Sequence, residues 1–367
     1  MNYCKQIAYT YYTTSKADFD VMLNEVLNQI PTDGIILRLV CWCAPSDNQE
    51  YEQWLSIYRR RVRESFMDRV PGIALVAQPP LGCGMVLEVH TYRPTNDDVV
   101  YYKKYDKHPY VLIENNLGRF LFASGFHGTG MLSTASLQAD AAFEQLDSLM
   151  QSEGFLPSSI TRQWNYIERI TDLDGDDQRY QSFNNVRADY YATDVWKYGY
   201  PAATGIGASC GGICIDVDAV MPTNSSCVIT PIDNCLQVAA HAYSSEVIHP
   251  SGHKKDSPKF ERAKMVSLKD GSKLVYVSGT AAIRGEESLE GVGLSKQLEV
   301  TLENIAQLTQ RLPLRHIRVY LKKFSDYDEA ARLLDEKLPD TSKAYFWADV
   351  CRDALLIEIE GIAKCSS

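Results

Sequence analysis

The 367-residue sequence predicts an α/β (α+β) fold of three repeated units, each a mixed sheet with its helices on one face. Two observations predict it. Short apolar strands alternate with amphipathic helices along the chain, and that alternation recurs with matching apolar positions. The helical stretches "QADAAFEQLDSLMQS" (138–152) and "QLEVTLENIAQLTQR" (297–311) superpose Phe143 on Leu302, Leu146 on Ile305 and Leu149 on Leu308. Spacings of three and four residues put those positions on one helix face.

The flanking segments correspond as well. A strand ending in Ser-Gly precedes each helix, "GRFLFASGFHG" (118–128) and "SKLVYVSGTAA" (272–282). A strand follows, "SSITRQWNYIERI" or "RHIRVYLKKF", then a second helix, "QRYQSFNNVRADYYA" or "DYDEAARLLDEKL". A closing strand ends each copy, "GGICIDVDAV" or "LLIEIEGIAK". The N-terminal region repeats the same order from "DFDVMLNEVLNQI" to "GMVLEVHTYRP", without an opening hairpin. The expected organisation is therefore a partial unit at 1–95, a second at 96–225, a linker at 226–262 and a third unit at 263–367. Polar stretches at 94–109 and from "MPTNSSC" to "HPSGHKKDSPKFERA" read as connections.

Composition limits the function classes. With 37 basic and 47 acidic residues the net charge is −10, which gives no global attraction to nucleic acid or an anionic membrane. No apolar run is long enough to span a bilayer, and the opening "MNYCKQIAYTYY" has no signal-peptide pattern, so a cytoplasmic protein is expected. The ten cysteines are scattered, several within apolar strands, and no CxxC pair occurs. They read as reduced core residues rather than disulfides or metal ligands, and no metal or organic cofactor is expected. "DLDGDD" (172–177) departs from a calcium loop at Asp177 and Phe183 and reads as a polar turn before a helix. "ATGIGASCGG" (203–212) lacks a complete dinucleotide-binding pattern, and its glycines read as close strand packing or a bulge.

"LVYVSG", "QLEVTLENI", "HIRVYLKKF" and "LLIEIEGIA" resemble the Rid (YjgF-like, chorismate mutase-like) family over roughly 263–364. The fuller set "RQWNYIERI", "RYQSFNNVRADYY", "PAATGIG", "SPKFERA" and "ADVCRDALLIEIEG" is similar to the chorismatases, a Rid-related group that cleaves chorismate. Rid proteins are trimers with sites between subunits. Three such units in one chain thus imply an internal pseudo-trimer, active as a monomer or a small homo-oligomer.

On the closing strand, Glu358 and Glu360 face one way while Ile357 and Ile359 face the other. The resemblance implies that Glu358 is the general acid/base that cleaves the enolpyruvyl ether of chorismate. It makes Cys351 and Ala263 product-steering positions, with Cys351 pointing to a hydroxybenzoate and Ala263 to a dihydroxycyclohexadiene carboxylate. A substrate with two carboxylates calls for cationic donors, for which Arg162, Arg187 and Lys343 are the candidates; Trp164, Tyr166 and Tyr191 are candidates for the wall. Lys343 stands where Rid proteins carry a carboxylate-clamping arginine, and Leu236 where chorismatases carry another, with His241 further on. Two alternatives remain open: an imine or enamine deaminase of the Rid type, and a non-catalytic small-molecule-binding protein. The repeats also put Glu88 and Asp216 at the position of Glu358, so a site requires that Glu358 differ from them in its surroundings.

Overall fold

The computed structural model describes residues 3–31, 34–243 and 256–365. The first unit comprises α1 (Tyr3–Gln6), β1 (Ile7–Thr14), α2 (Phe19–Asn28), β2 (Ile35–Cys43), α3 (Asn48–Phe66), β3 (Gly72–Ala77) and β4 (Met85–Tyr92). The second runs through β5 (Val99–Tyr105), β6 (His108–Asn115), β7 (Gly118–Gly128), α4 (Ala135–Ser152) and β8 (Ile160–Glu168). It continues with the short hairpin β9 (Leu173–Asp174) and β10 (Asp177–Gln178), then α5 (Arg179–Tyr191), β11 (Ala202–Ala208) and β12 (Ile213–Pro222). The third has β13 (Cys227–Ile232), β14 (Ala263–Leu268), β15 (Lys273–Ala281) and the hairpin β16 (Ile283–Arg284) and β17 (Glu287–Ser288). It ends with α6 (Gly293–Leu308), β18 (Leu314–Leu321), α7 (Tyr327–Lys337), β19 (Ser342–Trp347) and β20 (Ile357–Lys364).

Sheet order makes the repeat explicit. The second sheet is ordered β11-β8-β12-β7-β6-β5 and the third β19-β18-β20-β15-β14-β13, strand for equivalent strand; the first is the shorter β3-β2-β4-β1. Each closing strand is central, antiparallel to its neighbours, and a parallel strand (β3, β11 or β19) forms the edge. The sequence reading omitted that parallel strand from all three copies. β3 is a short uninterrupted apolar run, β11 carries two glycines and β19 follows a loop, so none shows strong alternation.

Two expected connections are strands in part. β5 lies within 94–109 and forms the outer edge of the second sheet; its lysines and exposed face give an edge strand a polar look. β13 lies within the expected 226–262 linker and pairs with β14, with Pro231 tolerated because the strand is an edge. Residues 244–255, the heart of that linker, lie outside the described residues. β1 supplies one opening strand to the first unit, where none was expected.

Helix starts follow local chemistry. The Asp47 carboxylate caps α3 by accepting from the Glu50 N–H at 2.8 Å, and Thr134 caps α4 by accepting from the Leu137 N–H at 3.2 Å. Apolar helix faces cover one side of each sheet: α2 and α3 close a core with Leu39, Cys41 and Leu87, α4 with Leu121 and Ile215, and α6 and α7 with Val275, Ile317 and Ile359. The opposite sheet faces meet one another. Two further cores mix all three units, one around Tyr3, Phe120 and Tyr276, the other around Trp42, Trp164 and Phe346. The chain is thus an internal pseudo-trimer, with helices outside and sheets toward the axis.

Candidate active site

Where the sheets converge, an arginine from the equivalent strand of each unit reaches the carboxylate of the next. Arg38 on β2 donates to Asp218 of the second unit at 2.8 Å, Arg162 on β8 to Glu360 of the third, and Arg318 on β18 to Glu88 of the first at 2.7 and 2.8 Å. All six side chains are buried. The indole of Trp164 sits among the three guanidiniums, whose carbons lie 4.8, 4.7 and 5.2 Å from its centroid. Such pairs, fully desolvated, hold together only as a complete hydrogen-bonded set.

The three acids that the repeats equate differ in company. Glu88 is gripped by Arg318 and contacts His90. Asp216 accepts the Gly125 N–H at 2.8 Å. Glu358 forms no hydrogen bond or ion pair among the described residues, and it lines a cleft of about 1040 Å³ between the second and third units. Burial pushes its carboxyl up to about 8, against the opposing pull of Arg262 and Arg162. At neutral pH it is a protonated acid.

One wall of the cleft is α5, which turns Tyr180, Gln181, Asn184 and Arg187 inward at spacings of one, three and four residues. A helix that buries an arginine and an asparagine is built for a site rather than for packing. The Arg187 side chain is 1 % exposed; it donates to Asn184 at 2.6 Å, and its Nε has no hydrogen-bond partner among the described residues. Arg262, entering β14 from the opposite wall, donates to the Val238 carbonyl at 2.9 Å and to the Tyr243 hydroxyl. Among the described residues neither guanidinium has a carboxylate partner. Two buried cations without counter-ions fit a ligand that brings two anionic groups. Cys351 lines the same cleft, and burial, aided by Glu358, pushes its thiol up to about 12, so it is a neutral, compact wall residue. The mouth is formed by the β9–β10 turn, the polar turn expected at "DLDGDD", and by the β16–β17 hairpin.

Residues 112–219, which supply α5 and most of that wall, match the family model described as chorismatase FkbO/Hyg5-like, N-terminal. This chain is a relative of the chorismatases. It is 29% identical over 266 residues to a 3-hydroxybenzoate synthase of Streptomyces hygroscopicus, covering 67% of this chain and 74% of that one. It is 30% identical over 242 residues to a chorismatase of the same species, covering 60% of this chain and 66%, just under two thirds, of the relative. A chorismatase crystal structure shares the fold across 98% of each chain, with a TM-score of 0.70 and 22% identity.

In this chorismatase relative, Glu358, Cys351 and Arg187 come together in the cleft; the other expected site residues do not line it. Arg162, Trp164 and Tyr166 alternate on the axial face of β8, and the Tyr166 hydroxyl accepts from Arg318 at 3.0 Å, so all three belong to the charge ring. Tyr191 donates to Gln163 at 2.6 Å behind the wall. Lys343 pairs with Ile317 across the ladder, on the helix-covered face, and its ammonium meets Asp335 of α7 at 3.0 Å; that correction follows from strand alternation. Ala263 faces the same helix-side core, which leaves its neighbour Arg262 on the cleft side. The backbone of Leu236 exchanges hydrogen bonds with Asn234 and Gly285, and His241 lies 3.9 Å from Glu261, both outside the lining. Arg262 and Tyr243 were missed. The stretch that carries them has no strand or helix period, and only the fold brings it over the cleft.

Proposed function

We propose that this protein cleaves the enolpyruvyl ether of chorismate and releases pyruvate, with Glu358 as general acid. The observation that carries the reading is Glu358, unpaired among the described residues and with its carboxyl pushed up by burial, in a cleft whose buried Arg187 and Arg262 have no carboxylate partner among the described residues. Chorismate brings two carboxylates for those guanidiniums. Proton transfer from Glu358 to the enolpyruvyl methylene makes a C–H bond and leaves an oxocarbenium-like carbon. Water adds there, returning a proton to Glu358, and the hemiketal breaks its bond from that carbon to the ether oxygen, which stays on the ring as a hydroxyl while pyruvate leaves. A hydroxybenzoate instead needs no net water, because the ring itself supplies the rearranging atoms. The neutral Cys351 thiol fits a role as a shape element beside the acid, consistent with a hydroxybenzoate product. Ala263, whose side chain lies behind the sheet, acts on the cleft only through Arg262.

The deaminase reading is weakened because Lys343, its carboxylate clamp, lies on the helix face. Incubating the purified protein with chorismate, and following pyruvate together with aromatic products, tests the proposal. One pyruvate per chorismate consumed supports it. An inert protein whose melting temperature chorismate raises is a binding protein instead.

A further inference from the structure

The floor beneath Glu358 is held from the neighbouring unit. The β15–β20 ladder pairs Val277 with Gly361, slips, and resumes with Thr280 opposite Ile359 and Ala281 opposite Glu358. Ser278 and Gly279 form the resulting bulge, a device that leaves a residue unpaired and re-aims its neighbours. A side chain at Gly279 has no room: its Cβ would fall on Glu358 Oε1, and 3.1 Å from Thr204 Cγ2. The Gly279 N–H donates to Thr204 Oγ1 at 3.0 Å. That same hydroxyl accepts from Arg162 at 2.6 Å and donates to Glu360. Thr204, on β11 of the second unit, therefore uses its one proton and both lone pairs. It joins the axial charge ring to the peptide against which the Glu358 carboxyl packs.

We propose that Thr204 is a positioning residue for Glu358: by anchoring the Gly279 peptide across the unit boundary, it fixes the bulge that holds the acid against the cleft floor and keeps water from that side. The functional part of this inference rests on Glu358 being the acid of chorismate cleavage. Thr204→Val keeps the shape and the methyl group but removes the acceptor for the Gly279 N–H, so the bulge loosens and water reaches the carboxyl. At pH 7, kcat falls about tenfold while KM stays within about twofold, as for a displaced catalytic group. The basic limb of the kcat profile, where Glu358 loses its proton, moves to lower pH. Thr204→Ser, which restores the hydroxyl, returns both to wild-type values.

The experiment is the pH dependence of kcat and KM for wild type, Thr204→Val and Thr204→Ser, beside an infrared titration of the Glu358 carboxyl band, identified by subtracting Glu358→Gln. If the valine variant does not fold, Thr204→Ala serves for the same readings. A lower melting temperature with an unmoved carboxyl titration means that Thr204 only braces the interface, and it overturns the proposal whatever the substrate. A titration shifted in Thr204→Val, beside a wild-type protein that leaves chorismate untouched, supports the positioning role and overturns the substrate assignment alone.

Discussion

A carboxyl that stays protonated to about pH 8 weakens the fold that holds it. Unfolded, Glu358 titrates near the ordinary glutamate value of 4.5, so between those values the folded state binds the extra proton and stability declines as pH rises. Glu358→Gln keeps the shape and removes the titration. It is expected to raise stability at pH 8 to 9 by on the order of 2 kcal/mol, read as the denaturant midpoint, with little change at pH 4. On the proposed mechanism the same residue is expected to give turnover its basic limb. Arg187, buried without a carboxylate partner among the described residues, is expected to act on substrate binding: Arg187→Met raises KM for chorismate at least tenfold, corresponding to about 1.4 kcal/mol or more, while leaving the fold intact. An unchanged KM in a steady-state assay contradicts that role.

At the scale of elements, the alternation of β20 decides where chemistry can sit. Ile357 and Ile359 close the helix-side core, while Glu358 and Glu360 turn toward the other units, as their spacing in the sequence indicates. Gly279 is the point where the adjoining strand yields to the acid. Gly279→Ala is expected to displace the Glu358 carboxyl and cut kcat by about tenfold or more, with a modest loss of stability, checked by kinetics beside thermal melts. The sequence made the acid strand, its neighbours and the wall helix legible, because period and repeat are local signals. It left Lys343 and Ala263 on the wrong face, since a position in an alignment does not say which side of a strand points where. Arg262 and Tyr243 were hidden for a different reason: they come from an aperiodic excursion whose placement over the cleft is a long-range outcome of packing.

At the scale of the molecule, three copies of one unit diverged in how they treat one acidic position. Glu88 is paired across a unit boundary with Arg318 and Asp216 accepts the Gly125 N–H within its own unit, whereas Glu358 lines the cleft. The Arg38, Arg162 and Arg318 ring ties the three units together, so its members are coupled. Arg318→Met takes the guanidinium from buried Glu88 and leaves it only His90 and His316, and is expected to cost about 3–5 kcal/mol in a denaturant titration. Since both cleft walls come from one polypeptide, activity per chain is expected to hold constant on dilution, as light scattering and initial rates on one series will show. A specific activity that falls with concentration contradicts a site complete in one chain.

The most direct test of the central claim is pyruvate release from chorismate by wild type and Glu358→Gln, with chorismate binding to each measured by calorimetry. Release by wild type, a loss of at least about a hundredfold in the variant, and retained binding are the predicted results for a general acid. A Glu358→Gln protein that binds chorismate and releases pyruvate at the wild-type rate contradicts the account.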